Sequence, residues 1–294
     1  MKRRHFNILS ALAVSNTTLF FPMHSSASSL KKEYIEEELR QLEIKVQGRL
    51  GVHIIDTATG HEYSYRPDER FMMLSSFKLL ACAVVLSRVD AGLESLERRI
   101  AYSKEQLVTY SPVTTKFADT DGMTLAQLCE ATITTSDNTA GNLILASFGG
   151  PAAFTDMARK LGDTITRLDR IETELNVKQD AVLLDTTSPR AMARTMRRVI
   201  FGDALSKASQ EHLQKWLTNN TTGGKRLRAG LPADWRIGDK TGTNKTDSND
   251  IAFIAPPNRK PLLVTAYIAD SVASNEVRDV TIAQVGALVQ RIAT

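Results

Sequence analysis

Between Phe71 and Gly92 the chain carries a segment, Leu79 to Val89, that is apolar on nearly every side of a helix. A helix with no face to give to water must be buried, so other elements have to pack around it. Ser75, Lys78 and Cys82 fall at i, i+3 and i+7 and share one face, with the hydroxyl and the amine one turn apart at the N-terminal end. That arrangement sets a weak nucleophile beside a possible base. A lysine that is desolvated, or repelled by another cation, is neutral enough to take a proton from serine. The same serine-to-lysine spacing occurs twice in Ser28-Ser29-Leu30-Lys31-Lys32, in a polar stretch, so spacing alone does not single out Ser75. Its place at the mouth of a core helix, and the clusters described below, do.

The 294 residues, 42% of them hydrophobic, suffice for one large domain or two interleaved ones. Leu30 to Gln47 places Ile35, Leu39, Leu42 and Val46 at helical spacing. Leu50–Asp56 and Glu62–Arg66 are β-prone runs around a Thr57-Ala58-Thr59-Gly60 turn. Nearly everything from Phe71 to about Gly223 then reads as helix. Thr124 and Gln127 form a capping box before Cys129, Asn142 to Phe148 stops at Gly149-Gly150, and further helices run from Pro151 to Leu161, Ser188 to Phe201 and Ser209 to Leu217. Strands resume at Trp235–Thr243, Ile251–Ala255 and Leu262–Ala269, and a last helix carries Ile282, Val285, Leu288, Val289 and Ile292 on one stripe. The expected fold class is therefore α/β plus all-α, a sheet flanked by N- and C-terminal helices with a helical domain inserted. Residues 28–70 and 224–294 form the α/β part and residues 71–223 the all-α part, with a cleft between them. Asp163 to Thr187 has no sustained helical period, and a loop of that length inside a compact domain is usually functional.

Lys2-Arg3-Arg4, the apolar run after it and the small residues Ser25-Ser26-Ala27 read as an export signal over residues 1–27, suited equally to a twin-arginine or a general secretory route. A periplasmic or secreted protein with no membrane span is expected. The signal holds three of the 37 Lys and Arg and none of the 33 Asp and Glu, which leaves the mature chain at a formal +1. No dense basic run with interleaved aromatics remains, which argues against a nucleic-acid partner. Cys82 and Cys129 are too far apart for a Cys-x-x-Cys redox pair. In an exported protein one disulfide is the expectation, with two buried thiols as the alternative. The five histidines are scattered, without metal-ligand spacing and without a Gly-x-Ser-x-Gly elbow, so no metal or other cofactor is expected.

Three further clusters carry chemistry: Ser136-Asp137-Asn138 in a polar turn, Lys240-Thr241-Gly242-Thr243 at a strand end, and Arg170 to Asn176, with Glu172, in the long loop. Singly, each has an ordinary reading as a helix cap, a strand end or a solvated loop. In this order, after Ser75 and Lys78, they form the motif set of class A β-lactamases and penicillin-binding proteins. The sequence resembles a class A β-lactamase over essentially its whole mature length, the Glu172–Asn176 stretch being the part specific to class A.

The resemblance implies the antiparallel-sheet fold of the β-lactamase and transpeptidase group, a monomer, and hydrolysis of penicillins and cephalosporins through a serine acyl-enzyme, conferring antibiotic resistance. It implies Ser75 as nucleophile, Lys78 as proton acceptor or relay, Ser136 as donor to the departing nitrogen, and Glu172 with Asn176 as the groups that position the hydrolytic water. It further implies Asn138 for the acylamino side chain, Lys240 and the hydroxyls of Ser136, Thr241 and Thr243 for the substrate carboxylate, and Gly242 within that strand motif. Tyr110 matches the aromatic wall of the cleft, Cys82 and Cys129 the positions of a disulfide, and Arg170 and Asp185 the ion pair that closes the loop. There are three departures: Leu74 where Cys or Met is common, Asn249 at the strand position that often carries an arginine, and Thr173 where proline is usual. Arg226 stands where other members supply the guanidinium from a neighbouring segment. With threonine at 173, the isomer of the Glu172–Thr173 bond is left open. A D,D-peptidase and a β-lactam sensor share the fold, but both lack a deacylating carboxylate at the position of Glu172.

Overall fold

The computed structural model describes residues 24–179 and 183–294. The expected signal lies outside the described residues, apart from its last few. There the first helix, α1 (His24–Val46), begins ahead of the Leu30 start that its apolar spacing predicts. Five antiparallel strands make the main sheet: β1 (Arg49–Asp56), β2 (Glu62–Tyr65), β3 (Arg236–Thr243), β4 (Ser248–Ala255) and β5 (Leu262–Ala269). Their order across the sheet is β2-β1-β5-β4-β3, so a strand from the start of the chain pairs with one near its end, Leu50 opposite Ile268. Between β2 and β3 lie α2 (Phe77–Asp90), α3 (Leu125–Thr134), α4 (Asn138–Phe148), α5 (Gly150–Lys160), α6 (Pro189–Ile200) and α7 (Lys207–Thr218), and α8 (Asn275–Ala293) closes the chain. No helix among the described residues is long and apolar enough to cross a membrane.

Alternation along β1 explains the layering. Leu50, Val52 and Ile54 join Ile35, Leu39 and Val46 of α1 and the stripe of α8 in one apolar cluster, while Ile55 joins the larger cluster built on the inserted helices. That second cluster is centred on α2, in which every residue from Phe77 to Leu86 is buried. The all-round apolar reading of this segment holds, with one difference at its entrance. Phe71–Met72 is a two-residue strand paired with Thr186–Thr187, and Leu74–Ser76 is a 3-10 turn, so Ser75 stands on a turn leading into the helix. Strand β4 starts at Ser248 rather than Ile251, because its first three residues are polar and show no alternation. Helix α4 begins at Asn138, four residues ahead of the expected start, for the same reason: its first turn is polar and is fixed by a cap. Asp137 accepts the Ala140 N–H at 2.9 Å.

Candidate active site

The turn of Leu74–Ser76 brings the Ser75 hydroxyl over the first turn of α2. Lys78 Nζ donates to Ser75 Oγ at 3.0 Å, and Ser75 Oγ donates to Glu172 Oε1 at 3.2 Å. Lys78 and Glu172 are themselves 2.9 Å apart, both fully buried. Lys78 Nζ also reaches Asn138 Oδ1 at 2.6 Å and the Ser136 carbonyl at 3.0 Å. Burial pulls its pKa below the usual lysine value, against the opposing pull of Glu172. From the opposite wall Lys240 Nζ donates to Ser136 Oγ at 3.0 Å and to the Thr241 carbonyl at 2.9 Å. Its pKa is pushed down to about 7, first by burial and then by the charge of Lys78. The charge of Lys78 thus makes its buried neighbour Lys240 easier to deprotonate.

Three turns that carry these groups use left-handed backbone at residues other than glycine: Leu74 (φ +47°), Tyr110 (+65°) and Ser136 (+60°). Such conformations persist only where surrounding contacts hold them. Asp137 supplies much of that hold around Tyr110 and Ser136. Its buried carboxylate accepts from the N–H groups of Val113, Thr114 and Ala140 and from the Thr114 hydroxyl. Gly242 is required by space, since a Cβ there would sit 2.3 Å from Asn249 Oδ1 and 2.8 Å from Leu74 Cβ. The cleft between these walls has a volume of about 350 Å³ and is lined by Ser75, Ser136, Asn138, Tyr110, Asn176, Thr222, Arg226 and Thr241 to Thr243.

The floor belongs to the long loop. Asn176 Nδ2 donates to Glu172 Oε2 at 2.6 Å, and the peptide bond between Glu172 and Thr173 is cis. Arg170 Nε donates to Asp185 Oδ2 at 2.6 Å, and Asp185 Oδ1 also accepts the N–H groups of Asp169 and Arg170, so the loop is closed at its neck. Asp185 further hands its carbonyl to the Met73 N–H at 2.9 Å, which ties the neck to the turn bearing Ser75.

Every proposed cleft residue converges here, and three positions differ from expectation or were missed. Asn249 does not face the cleft carboxylate position. It lies opposite Gly242 in the register and its Nδ2 donates to the Met72 and Met73 carbonyls, supporting the nucleophile turn from below. The residue opposite Thr243 is Ser248, whose hydroxyl accepts from Arg278 Nε at 3.0 Å. Arg226 does reach the cleft: Nη2 donates to Thr243 Oγ1 at 2.7 Å, Nη1 to the Gly242 and Asn249 carbonyls, and Nε to Asp279 at 2.7 Å. Asn142 escaped the sequence reading. Its side chain clamps Glu172 through both backbone groups, donating to the carbonyl and accepting the N–H, each at 2.8 Å. Asn142 is four residues after Asn138, so starting the helix at the Asp137 cap would have put both amides on one face. Thr222, whose hydroxyl shares a 2.6 Å hydrogen bond with Thr241, carries no local signal in the sequence.

The disulfide expectation is not met: Cys82 and Cys129 are buried free thiols. Cys82 Sγ lies 3.8 Å from the Cys129 carbonyl oxygen, and burial raises its pKa well above the usual thiol range, so the two behave as small core residues. Among the described residues no group of three or more His, Cys, Asp and Glu side chains could hold a metal ion.

A sequence model of the β-lactamase enzyme family matches residues 34–292. Among solved structures, an ancestral (GNCA) class A β-lactamase is 56% identical, with a TM-score of 0.86, over 88% of this chain and 99% of its own. A class A β-lactamase of the last common ancestor of Gram-negative bacteria (GNCA4) is likewise 56% identical, over 88% and 98%, with the same TM-score. PenP of Rhodopseudomonas palustris, described as a class A β-lactamase, is 53% identical over 88% and 99%, again at 0.86. With a family match across almost the whole described chain, and more than half of the aligned residues shared with structures of the same fold, the chain belongs to the class A β-lactamases.

Proposed function

We propose that this class A β-lactamase opens the β-lactam ring of penicillins and cephalosporins with Ser75 as nucleophile and Glu172 as the group that makes the acyl-enzyme transient. The observation that carries this reading is that one hydroxyl, Ser75 Oγ, is 3.0 Å from Lys78 Nζ and 3.2 Å from Glu172 Oε1. The Ser75 proton passes to the Lys78–Glu172 pair as Oγ attacks the lactam carbonyl. The backbone N–H groups of Ser75 and Thr243 receive the oxyanion, an arrangement that lowers the barrier only because it is fixed beforehand. Ser136, in contact with both lysines, hands its proton to the nitrogen as the C–N bond breaks. Lys240, Thr241, Thr243 and Arg226 hold the substrate carboxylate, and Asn138 the acylamino group. Glu172, steadied by Asn176 and Asn142, then takes a proton from the water that attacks the ester, and Ser75 is released.

A D,D-peptidase or a sensor domain would leave the acyl group on serine, and a carboxylate aimed at Ser75 Oγ weighs against both. The remaining parts of the reading are a monomeric enzyme and export to the periplasm or medium, the export supported by the small-residue cleavage motif at 25–27. Intact-mass spectrometry after mixing with benzylpenicillin tests the assignment. The parent should show a short-lived adduct with hydrolysed product, and Glu172→Ala a stable adduct, since acylation groups are spared and water activation is lost. A persistent adduct on the parent would replace this reading with the sensor or peptidase one.

A further inference from the structure

Behind the cleft wall a chain of four side chains leads from a buried carboxylate to a hydroxyl that the proposed mechanism puts on the substrate carboxylate. Asp239 is buried on β3, with Oδ1 accepting from Arg228 Nη2 at 2.6 Å and Oδ2 accepting from Asn220 Nδ2. Gly223 permits this close packing, since a Cβ there would sit 1.9 Å from Asp239 Oδ2. The Asn220 amide oxygen accepts the Thr222 backbone N–H at 3.1 Å and lies 2.9 Å from Thr222 Oγ1. Thr222 Oγ1 in turn lies 2.6 Å from Thr241 Oγ1.

The direction of the protons along this chain is set at its buried end. Asn220 can be turned only one way, because a carboxylate ion-paired with Arg228 needs the amide NH2 and the Thr222 backbone N–H needs the amide oxygen. That oxygen therefore faces the Thr222 hydroxyl, which has one proton to give. If Thr222 donates to Asn220, Thr241 donates to Thr222, and two hydrogen bonds are made within the protein. The opposite direction makes one and leaves the Thr241 proton to the cleft. In the free protein Thr241 thus turns its proton inward and shows the cleft its lone pairs, the wrong face for a carboxylate, which only accepts.

We infer that Asn220 and Thr222 are positioning residues that hold the Thr241 hydroxyl turned from the cleft until substrate binds, when both threonine hydroxyls reverse together. Thr241 then donates to the substrate carboxylate and Thr222 donates to Thr241. The exchange gives up the neutral bond from Thr222 to Asn220 and gains a charge-assisted one to the ligand. It rests on the assignment of Thr241 to the substrate carboxylate.

The test is binding without turnover. Kd values for benzylpenicillin and its methyl ester are measured by NMR titration in Ser75→Ala protein, alone and with Thr222→Val, Thr222→Ala, Thr222→Ser, Thr241→Val or the two valines together. Removing the Thr222 hydroxyl frees the Thr241 proton, so Thr222→Val and Thr222→Ala should bind penicillin about three- to tenfold more tightly, the size of one neutral hydrogen bond. Thr222→Ser should restore the parent value, the ester should respond less than the acid, and Thr222→Val should change nothing once Thr241 is valine. Unchanged or weaker penicillin binding in both Thr222 variants that lack the hydroxyl would overturn the inference, as would an effect that persists in the double variant or is equal for acid and ester. A Thr241→Val protein that binds acid and ester as the parent does would remove the assignment of Thr241 itself, and the inference with it, and that outcome is read without any Thr222 variant.

Discussion

Lys240 is poised to lose its charge inside the working pH range, and that has a direct kinetic consequence. With its pKa at about 7 in the free protein, the charged form that attracts a substrate carboxylate is depleted as pH rises through 7. The kcat/KM for benzylpenicillin should therefore fall on the alkaline side, and the fall should sit in KM more than in kcat. Lys240→Arg, which keeps its charge at any working pH, should move that limb upward by a unit or more. An unmoved limb would assign it to another group. Arg226, proposed as the second cation for that carboxylate, is buried, with its donors committed to Asp279, Thr243 and two strand carbonyls. Arg226→Ala should cost about 1.5–3 kcal/mol in kcat/KM. Asn249→Ala acts differently, through the two carbonyls beneath Ser75, and should lower Tm as well as kcat. The contrast shows what a sequence withholds at this scale. Motif residues declare themselves by type and order, whereas the place of Asn249 beneath the nucleophile turn depends on a strand register that polar residues do not encode.

In the proposed mechanism hydrolysis, as opposed to acylation, depends on the loop from Asp163 to Thr187, whose described residues hold one 3-10 turn, Glu174–Asn176, and the two-residue strand Thr186–Thr187. Its geometry comes from polar fastenings: Asp185 at the neck, Asn142 across the backbone of Glu172, and Asn244 Nδ2 to the Asn176 carbonyl at 3.1 Å. Asn142→Ala removes both hydrogen bonds of the clamp without touching a reacting atom. It should leave acylation by penicillin nearly intact and slow deacylation by tenfold or more, on the scale of one or two lost hydrogen bonds to a positioned group. Pre-steady-state mass spectrometry reads the two steps separately, and an equal loss in both would mean that Asn142 holds the cleft generally. The existence of this loop was legible from its missing period, and Glu172 from its neighbours. The clamp was not, because a polar residue in the first turns of a helix looks the same whether it faces solvent or a partner thirty residues away.

At the scale of the whole molecule, the two halves of the sheet meet through β1 and β5, and the surface where the sheet meets α6 contains a buried ionisable group that catalysis does not use. The outer face of that sheet was legible throughout, since Leu50, Val52 and Ile54 alternate and the stripes of α1 and α8 fit over them. The inner face was less so, because it carries Gly51, His53 and Thr265 among its apolar residues. Gly51 is small because a Cβ would meet the Phe71 ring at 2.4 Å, and Thr265 donates to the Pro189 carbonyl at 2.9 Å. His53 is fully buried, with Nε2 3.3 Å from Glu62 on β2, and with Arg190 and Arg194 of α6 and Asp68 close by. Among the described residues neither ring nitrogen makes a hydrogen bond, the Glu62 approach being one of distance alone. Burial brings its pKa to about 4, the two arginines adding to the effect and the two carboxylates opposing it. An unfolded histidine titrates near 6.5, so between these values the unfolded chain holds a proton that the folded chain refuses. Stability conferred above pH 6.5 is then lost as pH falls toward 4, by up to about 1.4 kcal/mol per pH unit from this residue alone. His53→Leu keeps the site filled and removes the proton. Urea unfolding of parent and variant at pH 7, 6, 5 and 4 should show the parent losing more stability than the variant between 6.5 and 4. Parallel losses would show that the acid lability arises elsewhere, in the paired carboxylates of the surface and the loop.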